Sequence, residues 1–290
     1  MVYFVTSYLT HSTRARWNPH LRWSFPSAIQ SQLPTQSQAI SATFEKSISS
    51  KTNDEPNLKQ FNAEFPFFFP GQGSQCVGMG VDTAREIPAA KELYARASSI
   101  LEYDLLSVCE KGPKTVLDAT DVAQPAIFVC SMAAVEKLRA TKGNQEALKA
   151  TVSLGLSLGE YSSTAACDTL ERIAKPQFKA LKTIRLPVAG AFHTNFMESA
   201  VPRLRKLLDG ITIHKPRIPI ISNVDAKAHT DPERIRELLI KQVTSPVLWE
   251  NSVKSILENG FKVGYELGPG TTLSGILKRL DSTKALLPIV

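Results

Sequence analysis

The chain has 290 residues, 43 % hydrophobic and 21 % charged, with a net charge of +7. That is room for a full core and the ordinary make-up of a globular domain. No run of about 18 or more apolar residues is present, so no membrane-spanning helix is expected. The positive charge forms no block interleaved with aromatics, which argues against a nucleic-acid partner. Cys76, Cys109, Cys130 and Cys167 are far apart and lack CxxC or CxxH spacing, so they read as free thiols rather than a disulfide frame or zinc site.

The chain starts unlike its body. No acidic residue precedes Glu45, and that stretch carries Arg14, Arg16, Arg22 and seven serines. Arginine and serine without acid is the composition of an organelle transit peptide. The plainer alternative is a disordered tail with no address. Residues 1–62 are therefore read as transit peptide and linker, and 63–290 as the folded domain, with structure starting near Phe65.

The aromatic run from Phe65 into Pro70-Gly71 predicts a buried strand ending in a turn, followed by a small polar loop through Gly80. Helices are expected over 88–102 and 125–141, the second starting at Pro125, a favourable first helical position. Val152 to Leu156 reads as a strand and Leu158 to about Ala166 as a helix. Residues 167–186 show no dominant period. Further on, 219–224 and 264–267 read as strands, and 232–242 and 248–260 as helices. Strands alternating with helices predict an α/β fold with a parallel sheet.

Between predicted strand and predicted helix lies Gly155-Leu-Ser157-Leu-Gly159, a G-x-S-x-G sequence. A sharp strand-to-helix turn strains the serine, and flanking glycines remove side chains that would clash. The hydroxyl then projects beside a helix N-terminus, where backbone N–H groups and the helix dipole stabilise an oxyanion. A glycine-rich structural turn is the bland alternative. A nucleophilic serine also needs a base. Of the body's histidines, His193 sits among small residues and an aromatic, whereas His214 and His229 read as surface loops. A lone histidine is often structural, so residues alone favour His193 without settling it. Gly71 to Gly80 lacks the lysine of a nucleotide-binding P-loop.

Several segments now stand in order: Phe69 to Gln75, Gln124-Pro-Ala126, Gly155 to Tyr161, Ala191-Phe-His-Thr194, Ser222-Asn-Val224, Gln242 through Trp249 and Glu266 to Gly270. Together they resemble the malonyl-CoA:acyl carrier protein transacylases, especially plant-type ones, over about 65–166 and 178–282. The resemblance implies an α/β-hydrolase-like acyltransferase core. It implies Ser157 as nucleophile, His193 as general base, and the N–H groups of Gln72 and Leu158 as the oxyanion hole. The chemistry would be ping-pong transfer from malonyl-CoA through an acyl-serine to the phosphopantetheine thiol of acyl carrier protein. No metal or prosthetic group is needed. A monomer in the plastid stroma is expected, with the mitochondrion as the alternative address.

The sequence also departs from that pattern. In the family the serine and histidine stand roughly a hundred residues apart, whereas 36 positions separate them here, so about seventy residues of domain-sized material are missing. The expected loss is most of a ferredoxin-like small subdomain, truncated around 167–186, together with the arginine that pairs with the malonyl carboxylate. Arg172 lies 15 residues past Ser157, about 22 Å along a continuous helix and out of reach. Lys182 and Arg185 are the other candidates, although a lysine lacks the two-pronged grip of a guanidinium. Leu248 stands where a glutamine is expected to support the histidine, and Thr271 where a lysine is usual. Two rival readings follow: a non-catalytic remnant that binds acyl carrier protein, and a slow thioesterase with an open cleft.

Overall fold

The computed structural model describes residues 61–173 and 192–290. Residues 1–60 of the expected transit peptide and linker (1–62) and the cations Lys182 and Arg185 lie outside the described residues.

In chain order, β1 (Pro66–Phe69) leads through the glycine loop to α1 (Val81–Glu86), α2 (Pro88–Leu101), α3 (Leu105–Lys111) and α4 (Lys114–Leu117). The long α5 (Thr120–Lys142) and short α6 (Asn144–Leu148) follow, then β2 (Val152–Gly155) and α7 (Leu158–Ile173). After a 3-10 turn at Asn195–Ala200 come α8 (Val201–Asp209), β3 (Ile220–Ile221), β4 (Ala228–His229), α9 (Pro232–Gln242) and α10 (Trp249–Glu258). The body closes with β5 (Gly264–Leu267), α11 (Thr272–Leu280) and β6 (Leu286–Ile289).

The strands form one sheet in the order β4-β3-β2-β1-β5-β6. Every neighbouring pair is parallel except β3 with β4, where Ile220 faces His229 across an antiparallel ladder. The expectation of a parallel α/β core holds, with this short antiparallel edge added. β1 and β2 lie side by side at the centre, in register from Pro66 opposite Val152 to Phe69 opposite Gly155. The nucleophile turn and the glycine loop therefore leave the sheet from adjacent strand ends. This is where ligands bind in open parallel sheets.

Alternation along β1 divides the core. Phe67 and Phe69 join the cluster around α2 and α5, whereas Phe68 faces the other layer and meets Trp249 and Phe261 edge to face. Period-2 side chains in a strand buried on both faces produce such a division. From Ala126 to Val135 every residue of α5 is buried, the mark of a helix enclosed all round.

Three boundaries differ from expectation. α5 begins at Thr120, not Pro125, and the Val122 and Ala123 amides bond the Ala119 carbonyl ahead of it. Pro125 lies in the second turn, where its ring costs one helical hydrogen bond near the exposed end. The strand expected over 219–224 ends at Ile221, because Asn223 leaves the ladder for the contacts described below. Finally, α7 runs to Ile173, past the end expected near Ala166. At the expected start of the folded domain, Ala63 is fully buried and donates to Asn259 O at 3.1 Å.

Candidate active site

The site grows from the β2–α7 turn. Ser157 sits there with φ of 54°, in the left-handed region that non-glycine residues rarely occupy. The flanking glycines are required by contact. A β-carbon on Gly155 would lie 1.9 Å from the Gly159 carbonyl carbon and oxygen, and one on Gly159 would lie 2.0 Å from Phe69 O. The β1 end, the β2 end and the first turn of α7 are thus packed backbone to backbone. A β-carbon on Gly71 would lie 2.3 Å from Leu156 O, which brings the loop after β1 against the serine turn.

His193 closes the site. Its Nε2 lies 2.7 Å from Ser157 Oγ, and its Nδ1 lies 2.9 Å from the main-chain oxygen of Gln242. A carbonyl only accepts, so Nδ1 carries the proton and donates to it. Nε2 is left to accept from the serine hydroxyl. The backbone fixes the ring as well, because the His193 amide donates to Val243 O at 2.8 Å and its φ is 65°. Both Ser157 and His193 are half-buried.

The expected role of position 248 is corrected here. Leu248 uses its amide to donate to Asn223 O at 2.8 Å, and it is Gln242, at the end of α9, that supports the histidine. Support through a main-chain oxygen does not depend on the side chain at 248. His229 is corrected too. It is buried in β4, not on a surface loop, with Nε2 at 3.1 Å from Asp225 Oδ1.

The Gln72 and Leu158 amides, expected as oxyanion donors, have no acceptor among the described residues. Leu158 is the first residue of α7, where a helix leaves its amides unpaired. Gln72 is held by its side chain: Oε1 accepts from Gln124 Nε2 at 3.0 Å, and Nε2 donates to Thr120 Oγ1 at 3.1 Å. The start of α5 thereby steers the loop while the backbone N–H stays available.

Beneath the pair lies a buried polar group whose members the sequence reading did not single out. Asn223 Oδ1 accepts from the Ser157 amide and Asn223 Nδ2 donates to Gly155 O, both at 2.7 Å. The Asn223 amide donates to Glu160 Oε2 at 2.8 Å. With its amide oriented to match its neighbours, Gln242 donates to Glu160 Oε2 at 2.9 Å and to Asn223 Oδ1 at 3.1 Å. Burial pushes the Glu160 carboxyl up to about 8, against the bonds from Asn223 and Ser222 that favour its charged form. All three residues fall inside segments already noted as Gly155–Tyr161, Ser222–Val224 and Gln242–Trp249. A polar residue inside an otherwise apolar motif was the available signal.

A serine on a strained turn, a histidine with a fixed tautomer and two open amides beside it make a site for acyl transfer through a serine ester. Comparison with known proteins agrees. A family profile described as "Acyl transferase domain" matches residues 66–183. The mitochondrial malonyl-CoA-acyl carrier protein transacylase of Mus musculus is 35 % identical, over 72 % of this chain and 77 % of that one. The Escherichia coli K12 malonyl CoA-acyl carrier protein transacylase is 28 % identical, over 76 % of this chain and 94 % of its own. Among solved structures, an acyl carrier protein S-malonyltransferase from Vibrio cholerae superposes with a TM-score of 0.66 at 27 % identity, covering 78 % of this chain and 96 % of that one. The chain belongs to the malonyl-CoA:acyl carrier protein transacylase family and is an acyltransferase.

Proposed function

We propose that the protein moves a malonyl group from malonyl-CoA to the phosphopantetheine thiol of acyl carrier protein, in fatty-acid synthesis. Ser157 Oγ attacks the thioester carbonyl as His193 Nε2 takes its proton. The Gln72 and Leu158 amides hold the oxyanion, and the coenzyme A thiolate leaves with the proton from His193. The carrier thiol then gives its proton to His193 and attacks the serine ester, and His193 returns that proton to Ser157 Oγ as the ester bond breaks. The observation that carries this reading is the 2.7 Å contact between Ser157 Oγ and His193 Nε2. It counts against a non-catalytic remnant, which has no need of an aligned pair. Intact-protein mass spectrometry with malonyl-CoA tests it: an adduct is expected on the wild type and none on Ser157→Ala. An adduct that survives the substitution moves the nucleophile elsewhere.

The reading includes a plant-type enzyme with a shortened insertion. The mouse alignment runs over 294 positions, whereas 72 % of this chain is about 209 residues, so about 85 positions of the relative face nothing here. This reading puts the shortening in the 36 positions between Ser157 and His193. In keeping with a surface left uncovered, Phe196, three residues past His193, is 88 % exposed. The arginine that would grip a malonyl carboxylate goes with that segment, so selection for the acid is weakened. The acid-free, arginine- and serine-rich start supports plastid import, with the mitochondrion second. Residues 1–60 fused to a fluorescent reporter should reach an organelle, and a diffuse cytosolic signal would remove that part of the reading.

A further inference from the structure

We propose that Glu160 is a positioning residue of the acyl-transfer site, its buried carboxyl binding both Asn223 and Gln242 and through them holding Ser157 and His193 in register. This rests on the reading of Ser157 and His193 as the reacting pair. The Glu160 carboxyl touches neither of them, although its amide donates to Ser157 O at 3.0 Å. It lies in the first turn of α7, three residues past the serine, and is 2 % exposed. No cation forms an ion pair with it among the described residues; its partners are amides and the Ser222 hydroxyl. An apolar side chain would fill such a position at lower cost, so a carboxyl kept there without a counter-charge needs a reason.

The reason is that two arms of the site meet on one atom. Along the first arm, Glu160 Oε2 accepts from the Asn223 amide. Asn223 then spans the nucleophile turn, accepting from the Ser157 amide and donating to Gly155 O. A left-handed serine persists only where its surroundings over-determine it, and this span supplies the constraint. Along the second arm, the same Oε2 accepts at 2.9 Å from the Gln242 side-chain amide, the shortest contact of that amide, which also reaches Asn223 Oδ1 at 3.1 Å and Ser157 O at 3.2 Å. Gln242 in turn offers its main-chain oxygen to His193 Nδ1. Nucleophile and base stand 36 positions apart, on either side of residues 174–191. A shared buried acceptor makes their separation independent of that segment.

The experiment compares wild type, Glu160→Ala, Glu160→Gln, Asn223→Ala and the Glu160→Ala/Asn223→Ala double variant as full chains. Labelling by a fluorophosphonate, located by mass spectrometry, gives the rate at Ser157, and its final amplitude counts competent sites, so misfolded protein is not scored as slow protein. Glu160→Ala should slow labelling per competent site by about tenfold to a hundredfold, as a displacement near 1 Å does to a reacting pair. KM for malonyl-CoA should stay within about twofold, since the carboxyl meets no substrate. Glu160→Gln retains an oxygen acceptor and should return to within about threefold of wild type, while the double variant should be no slower than the worse single one. Three results would overturn the role: Glu160→Ala labelling at the wild-type rate per competent site, a loss confined to amplitude, or effects of the two alanines that multiply. A wild type that takes no label at Ser157 would instead remove the nucleophile reading, and this role with it.

Discussion

Replacing Gly159 with alanine tests whether the backbone packing at the nucleophile turn has the consequences its geometry implies. The added β-carbon would lie 2.0 Å from Phe69 O, 2.7 Å from Phe69 C and 3.0 Å from Pro70 O, all main-chain atoms that cannot rotate away. Ordinary contact begins at 3.4 Å, so α7 and the end of β1 must separate by about 1.4 Å. Overpacking of this kind costs about 1–3 kcal/mol, which for a body of this size lowers Tm by roughly 3–10 °C. Function should suffer more than stability. The displaced segment leads directly into Gly71 and Gln72, so the loop amide moves relative to Ser157, and acylation should fall by about tenfold to a hundredfold. Gly275→Ala is the matched control: nothing lies within 4 Å of its β-carbon position in α11, and alanine there should stabilise by about 0.5–1 kcal/mol. Melting followed by circular dichroism, with stopped-flow acylation by malonyl-CoA, reads both effects. A Gly159→Ala protein with wild-type Tm and wild-type acylation would refute the packing argument.

Three further outcomes are expected. Burial raises the folded-state Glu160 carboxyl to about 8, above its unfolded value near 4.3, so the folded state holds the proton more tightly. Its stabilising contribution is therefore full below about pH 4 and is lost as pH rises towards 8, and the wild-type Tm minus the Glu160→Gln Tm should fall steadily between pH 5 and 8; a flat difference would contradict the burial argument. Leu248→Gln should leave kcat/KM within about twofold, because His193 already has its acceptor in Gln242 O; a large gain would restore the side-chain role to position 248. On the proposed loss of the arginine, malonyl transfer should fall by at least about tenfold relative to acetyl transfer, a charged hydrogen bond being worth about 1.5–3 kcal/mol. The kcat/KM ratio of malonyl-CoA to acetyl-CoA, with acyl carrier protein as acceptor, measures this, and a strong malonyl preference would point to a substitute cation.

Ser157 and His193 were legible in the sequence for different reasons. A glycine–serine–glycine turn between strand and helix leaves a local mark, because the clashes it avoids lie within a few residues. The histidine needed its neighbours and the resemblance, since the bond to Ser157 spans 36 positions. Asn223 read as part of a strand because its apolar neighbours Pro219 to Ile221 have strand character. The demand of Gly155, Ser157 and Glu160 on its polar groups drew it out of the ladder, and that demand is not local. His229 was misread for a similar reason, as its flanking polar residues suggested exposure while Asp225 lies against it in the fold. The late start given to α5 came from trusting Pro125 as a first residue, when tertiary burial of the following turns carries the helix across it.

The oxygen that holds His193 Nδ1 belongs to a peptide bond, and a peptide bond carries no charge. An imidazolium formed during the reaction therefore has a dipole beside it where a hydrolase with a carboxylate partner offers a full negative charge. Acceptors feel that difference unequally. A thiol near pKa 8.5 gives up its proton more readily than water, at 15.7. A serine ester in this site should thus outlast collisions with solvent and fall to a sulfur nucleophile. With a neutral partner for its histidine, the site is expected to hand an acyl group on rather than release it.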